Sequence, residues 1–345
     1  MSRSSYHNFA VVSADPLILT GEGISLERDQ ALIETLERLR SRPLYYLSQN
    51  WWSHELPDIF AGSVATLRDL HRRFPEHRFL AMCNTAKEVA LFRDAGLPCA
   101  FISTGIFTDE RIFQVQSTVV REFDAILNAS LVPWKRQDLC RQLKSLALTY
   151  APWHPLGPGQ EDYPQRLRAL LPFAHFVNQP AAGDDYRFLG LHEVAELCNR
   201  SRVGLALSAV EGTTRAVVEY LLCGLPVVTT PNLGGRDELL DPRFSRHVEP
   251  DPDRVAAAVH QLIAAELSPW DVRNAALRKL EQHRDRFIQL VDALYRQVGR
   301  KYSFRLEWDA MLGRSHYMWR TIDELMQSID DVGRDQARLA QRLRG

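Results

Sequence analysis

At 345 residues the chain is long enough for two domains, each with its own core. It is 45% hydrophobic and 25% charged with a formal net charge of −1, the composition of a soluble globular protein. That balance lacks the clustered basic charge of a nucleic-acid binder, so no nucleic-acid partner is expected.

The amino-terminal segment has no long apolar run of the kind that directs secretion, and no stretch reaches the length of a membrane span, so cytoplasmic is the expected location. Residues Phe9 to Ser13 read as a short strand, and the run from Leu17 leads through Gly21 and Gly23 to an amphipathic helix over Ser25 to Arg40. A glycine loop before a helix lets a ligand approach backbone amides, although glycine also marks ordinary turns. Leu44 to Leu47 form the next strand, which enters the loop Ser48 to Glu55. Trp51 and Trp52 in that loop suit either stacking on a sugar ring or plugging the space between loop and helix. His54 reads as a structural or exposed residue unless it meets a ligand. A helix over Ser63 to Phe74, a strand from Arg78 to Met82, a helix from Ala86 to Ala95 closed by Gly96, and the strand Cys99 to Ile102 follow.

Phe123 onward opens a second series. The pair Lys135-Arg136 stands at the head of a predicted helix, where cations are unfavourable, so a bound anion is the attractive explanation. Strands at Leu146 to Tyr150, Phe173 to Asn178 and Val203 to Ser208 alternate with helices, including Leu191 to Asn199. That alternation implies a parallel sheet with helices on both faces, whose ligands bind beyond the carboxyl ends of the strands. The segment from Leu205 to Leu239 carries the densest information. It reads as a buried strand, a helix opening near Glu211-Gly212 and running through Glu219 to Cys223, a stop at Gly224, and a strand Val227 to Thr230 before Gly234-Gly235. Glu211 and Glu219 lie eight positions apart, about 12 Å of rise if both are helical. Amides beside Glu211 are then open to an anion or hydroxyl. An alanine-rich helix (Pro252 to Glu266), a longer one (Trp270 to Gly299) and a helical tail with Met311, Tyr317, Met318 and Leu325 among its apolar positions complete the chain. Cys83, Cys99, Cys140, Cys198 and Cys223 are scattered and odd in number, as expected of small buried residues in a reducing compartment.

The strand, the Glu-x7-Glu helix, Cys-Gly-Leu-Pro-Val-Val and the Gly-Gly loop, in that order, resemble the C-terminal domain of retaining GT-B glycosyltransferases of the family 4 and glycogen-synthase-like group. The resemblance covers roughly residues 123 to 265. It implies an α/β fold of the GT-B type, two Rossmann-like domains facing a cleft, with a helical C-terminal tail. The boundaries are then 1–122 for an acceptor-side domain, 123–300 for a nucleotide-sugar domain and 301–345 for the tail, which could supply a homodimer contact. The implied activity is transfer of a sugar from a nucleoside diphosphate sugar to an unidentified acceptor with retention of anomeric configuration, and with no cofactor or metal. Carried over by motif, Glu219 holds the ribose, Glu211 the sugar hydroxyls and Lys135 the diphosphate, with His54 the candidate beside the reacting sugar. Arg136, Gly212, Thr213, Thr214, Arg215, Gly234, Gly235, Gly21 and Gly23 complete the implied binding set.

Three departures from the family pattern stand out. Thr104 occupies the usual asparagine position of the interdomain signature. Asn128-Ala129 replaces Gly-Arg, removing one phosphate cation. Thr213-Thr214-Arg215 replaces a small glycine-rich run, and Arg215 could stand in for the missing arginine. Two other readings stay open: a catalytically silent relative serving as a binding or scaffold subunit, which the missing arginine and the altered Gly-Thr-Thr-Arg run favour, and a nucleotide-sugar 2-epimerase, which shares the GT-B fold and would need acids and a histidine such as the His54-Glu55 pair at the sugar.

Overall fold

The computed structural model describes residues 9–22, 30–150, 162–181, 183, 185–314 and 321–344. They pack as two compact units: Met1–Phe107 with Gln282–Gly345, and Thr108–Glu281.

In the first unit β1 (Phe9–Ala14) and β2 (Leu17–Glu22) are antiparallel, with Ala14 opposite Leu17 and Phe9 opposite Gly21. Asp15 and Pro16 make the reversal, as aspartate and proline favour turns. Here the structure corrects the sequence reading. The glycine loop expected at Gly21 is a strand, because the apolar run Leu17 to Thr20 finds partners on both sides, and Gly21 also pairs with Ser48. Gly23 and the expected helix start at Ser25 lie outside the described residues. The chain continues through α1 (Gln30–Arg38), β3 (Leu44–Gln49), α2 (Pro57–Arg73), β4 (Arg78–Cys83), α3 (Ala86–Asp94) and β5 (Cys99–Phe101). Helix α2 begins six residues before the expected Ser63 because Pro57 fits its first turn, and His71, Arg72 and Arg73 suit the negative end of its dipole. The sheet order is β1-β2-β3-β4-β5, parallel from β2 onward. Leu19, Tyr46, Leu70, Phe74, Phe79 and Phe92 fill its core.

The second unit builds a six-stranded parallel sheet from β6 (Phe123–Asn128), β7 (Leu146–Thr149), β8 (Ala174–Phe176), β9 (Ser201–Ala206), β10 (Val227–Thr229) and β11 (Ser245–His247), in the order β11-β10-β9-β6-β7-β8. Between the strands run α4 (Tyr163–Leu170), α5 (Leu191–Asn199) and α6 (Arg215–Leu222), and α7 (Pro252–Ala264) follows the last strand. Central strands β6 and β9 carry continuous buried apolar runs at Ala125 to Leu127 and Val203 to Ala206, as expected where both faces are covered.

The chain then returns. Helix α8 (Pro269–Gln297) leaves the second unit at Glu281, and α9 (Trp308–Arg314) and α10 (Ile322–Arg342) complete the first. The sequence reading closed the nucleotide-sugar domain at residue 300 and set the tail apart. Instead Leu325, Ile329 and Val332 enter the first unit's core beside Phe9 and Val11. Gln336 is buried and fixes the arrangement: its Nε2 donates to Ser13 Oγ (3.0 Å) and Glu307 Oε2 (2.7 Å), and its Oε1 accepts from Ala14 N (3.1 Å). Tyr317 and Met318 fall outside the described residues. Among the described residues no helix is long and apolar enough to cross a membrane. All five cysteines are free thiols.

Candidate functional site

The loops beyond β6, β9 and β10 gather most of the sequence-predicted residues of the second unit. After β9 the chain runs extended, Val210 bridging to Leu233, and α6 opens at Arg215 with Thr214 as its extended N-cap (φ −94°, ψ 109°). The helix thus starts four residues later than the sequence suggests, because the β-branched pair Thr213-Thr214 favours extended backbone. Two expectations change with it. Glu211 is off the helix, so the 12 Å reach does not describe the pair, and its amide already donates to Leu233 O at 3.2 Å. What Glu211 offers is its side chain, buried and ion-paired to Lys135 Nζ.

Lys135 reaches that position from the loop after β6. Its segment is a 3-10 turn, Pro133–Lys135, followed by left-handed Arg136 (φ 55°) and a second 3-10 turn, Gln137–Cys140. No α-helix begins here, so the expected dipole penalty on Lys135 and Arg136 has no basis. Arg136 is half-buried beside it.

Asn128, at the end of β6 and next to the position of the absent arginine, binds the second glutamate. Its Nδ2 donates to Glu219 Oε2 at 3.1 Å, and its backbone N donates to Tyr220 Oη at 2.6 Å. Gly204 in β9 permits this, since a Cβ there would stand 2.3 Å from the Tyr220 ring. Glu219 is 3% exposed, and burial pushes its carboxyl up from 4.5 to about 6 despite the Arg215 charge and the Asn128 hydrogen bond. A buried carboxylate so poised is a strong acceptor for vicinal hydroxyls. Among the described residues, two further buried acceptors, Thr214 Oγ1 and Asn232 Oδ1, have no hydrogen-bond partner. Gly212 and Thr213 are buried between them and Glu211 in sequence, and Arg215 is half-buried.

Beyond β10, Gly234 adopts φ 117°, open to glycine and strained for other residues, and Gly235 begins a 3-10 turn. Arg236 in that turn is a structural residue of the site's loops that sequence reasoning missed. It is 2% exposed, and its guanidinium donates to Ser208 O (2.6 Å), Thr230 O, Thr229 Oγ1 and Asp237 Oδ1 (2.8 Å). One side chain therefore ties the ends of β9 and β10 to the Gly-Gly turn. Its only sequence signal was an arginine directly after two glycines at a strand end.

The first-unit candidates are arranged differently. His54 is buried: its Nε2 lies 2.8 Å from Ser63 Oγ, its backbone N donates to Glu88 Oε1 (2.8 Å), and its ring packs on Phe92. Those contacts lie within the unit's own packing. Gly21 sits inside a strand, and Trp51 and Trp52 are partly exposed. Among the described residues no group of three or more metal-ligating side chains gathers.

Comparisons with known proteins bear on the fold that carries these loops. Residues 137–265 match the family model described as glycosyl transferases group 1. No curated protein matches the chain. Among solved structures, Anabaena HepE in complex with UDP aligns with a TM-score of 0.56 at 16% identity, covering 76% of this chain and 82% of that one. Sucrose-phosphate synthase from Thermosynechococcus elongatus aligns at 0.54 and 14% identity, covering 80% of each. The pneumococcal O-GlcNAc transferase GtfA in complex with UDP and GlcNAc aligns at 0.52 and 11%, covering 75% of this chain and 54% of that one. At these identities the structural likeness establishes the fold: two Rossmann-like units of the GT-B type with a helical C-terminal region.

Proposed function

From the match of residues 137–265 and the arrangement of the strand-end loops we propose that the protein transfers a sugar from a nucleoside diphosphate sugar to a hydroxyl-bearing acceptor, with retention of configuration and without a metal. The observation that carries the reading is the convergence of Lys135, Glu211, Asn128 and Glu219 beyond the carboxyl ends of β6 and β9, in one parallel sheet. Glu219 accepts the ribose hydroxyls. The Lys135 ammonium meets the diphosphate, exchanging its Glu211 partner for phosphate oxygens as the donor arrives, which leaves Glu211 to accept sugar hydroxyls. Arg215, whose charge already acts on Glu219, supplies the second phosphate cation in place of the arginine absent beside Asn128. Arg136, Gly212, Thr213, Thr214, Gly234 and Gly235 line the same loops. In the transfer the acceptor oxygen bonds to the anomeric carbon as the bond to the leaving phosphate oxygen breaks, and the hydroxyl proton passes to that oxygen. Lys135 and Arg215 stabilise the charge that develops there. HepE and GtfA were both seen with UDP, which makes a uridine diphosphate sugar the first donor to try.

Thermal-shift titration with UDP-, GDP-, ADP- and TDP-sugars tests the proposal on wild type and Glu219→Ala. A donor at a hundredfold excess over its Kd adds about 2.7 kcal/mol to stability. One nucleotide class should raise the melting temperature of wild type and not of the variant. The ion pair and hydrogen bond that close these residues on one another also favour a second reading, a silent relative with its site collapsed. Absence of any shift across the panel selects it.

A further inference from the structure

The loop after β3 inverts the ordinary partition of side chains. Asn50, Ser53 and His54 are buried, while Trp51 and Trp52 between them remain 37% and 41% exposed. Indole is a large apolar surface that folding normally covers, so a loop that hides its polar residues and presents two indoles has them there for contact with something else.

The presentation is rigid. Asn84, fully buried at the end of β4, donates from Nδ2 to Asn50 O (2.9 Å) and accepts at Oδ1 from Thr104 N (3.1 Å), binding together the loops after β3, β4 and β5. Asn50 Nδ2 donates to Met82 O (3.1 Å). The buried carboxylate of Glu88 accepts from His54 N and from Asn84 N (2.7 Å), which closes the far side of the loop. Each indole is thus more than half covered and stands on a loop pinned on both sides, so little backbone freedom remains to be lost on binding. The location is also that of a ligand site, beyond the carboxyl ends of the parallel strands.

We infer that Trp51 and Trp52 form an acceptor platform, stacking on the C–H faces of pyranose rings in a carbohydrate acceptor. This rests on the glycosyltransferase reading and adds the acceptor's chemical class. The polar groups around the indoles favour sugar over a lipid surface. Asp58, exposed in the first turn of α2, supplies an acceptor for hydroxyls, and among the described residues Lys87 meets the loop as a cation already ion-paired to Glu55 at 2.9 Å. A membrane-docking patch would instead set unpaired cations beside its aromatics to meet lipid phosphates.

The test is saturation-transfer NMR on the full chain with maltose, cellobiose, lactose and chitobiose as probes, for wild type, Trp51→Ala/Trp52→Ala and Trp51→Phe/Trp52→Phe. At least one disaccharide should bind wild type, about tenfold or more weakly to the alanine pair, and with intermediate affinity to the phenylalanine pair, which keeps aromatic faces if the alanine pair fails to fold. Absence of binding by all four, or equal binding by all three proteins, overturns the inference. So does co-sedimentation of wild type, but not the variants, with phosphatidylcholine–phosphatidylglycerol vesicles, which assigns the patch to a lipid surface. Nucleotide-induced thermal shift is read separately on each protein. If it is missing in wild type the donor reading fails, whereas disaccharide binding independent of the tryptophans removes only the platform.

Discussion

The strand-end loops of the two units spend their buried polar groups in opposite ways. In the second unit, side chains bind side chains: Lys135 to Glu211 and Asn128 to Glu219. In the first, side chains bind backbone: Asn50 to Met82 O, Asn84 to Asn50 O, and Glu88 to the amides of His54 and Asn84. A side-chain pair can open and re-form on a ligand at little cost to the chain path. A bond to backbone fixes the path itself, and breaking it strands a buried donor or acceptor. By this criterion Lys135 and Glu219 are available for binding, whereas Asn50, Asn84 and Glu88 hold architecture. Arg236 belongs to the second kind although it lies in the second unit, since Ser208 O and Thr230 O are among its acceptors.

Four measurements press on that contrast. Arg236→Met should have the largest effect, about 3–5 kcal/mol of stability, because it leaves Asp237 without its cation and two buried carbonyls without donors. A denaturation midpoint close to wild type would mean that the guanidinium clamps nothing. Lys135→Met should fold normally but lower kcat about 100-fold or more, the scale of losing one donor to a developing oxyanion. If melting temperature falls and turnover does not, the Lys135–Glu211 pair is structural and the contrast fails on its main example. Glu219→Gln probes pH. With its carboxyl raised from 4.5 to about 6, the folded wild type holds that proton more tightly than the unfolded chain does. Stability from this group is therefore greatest below pH 4.5 and falls by about 2 kcal/mol as pH rises through 6. The glutamine variant should lack that decline, and parallel wild-type and variant profiles in chemical denaturation would contradict it. Smallest is His54→Ala, expected to cost about 1 kcal/mol through the Ser63 contact while the donor-induced thermal shift stays intact. A lost shift would return His54 to the donor site.

Much of the second unit was legible because its signals are local. Gly224 ends α6 with φ 78°, Pro226 follows, and the apolar run Val227 to Thr229 has no stable place except a covered strand. Leu191 to Asn199 forms α5 at the predicted bounds, since its apolar period and flanks agree. The first unit was less legible where pairing is non-local. Whether Leu17 to Glu22 is loop or strand depends on β1 on one side and β3 on the other, and nothing within six residues states that. The start of α6 was misplaced for a related reason: Glu211 and Gly212 are compatible with a helix turn, and the Val210–Leu233 bridge holds them out of it.

Sequence alone determined the alternating α/β architecture, the order of the motif and the identity of the residues at strand ends, because periodicity, caps and turn residues act over a few positions. Tertiary structure alone decided which of those residues meet. It placed Lys135 on Glu211 across 76 positions, and Asn128 on Glu219 across 91. It also buried Arg236 and folded the tail into the first unit through Gln336, more than 320 positions from Ser13 and Ala14. Such contacts depend on which faces two sheets bury and how their loops close, and each is stable only when the rest of its core is in place.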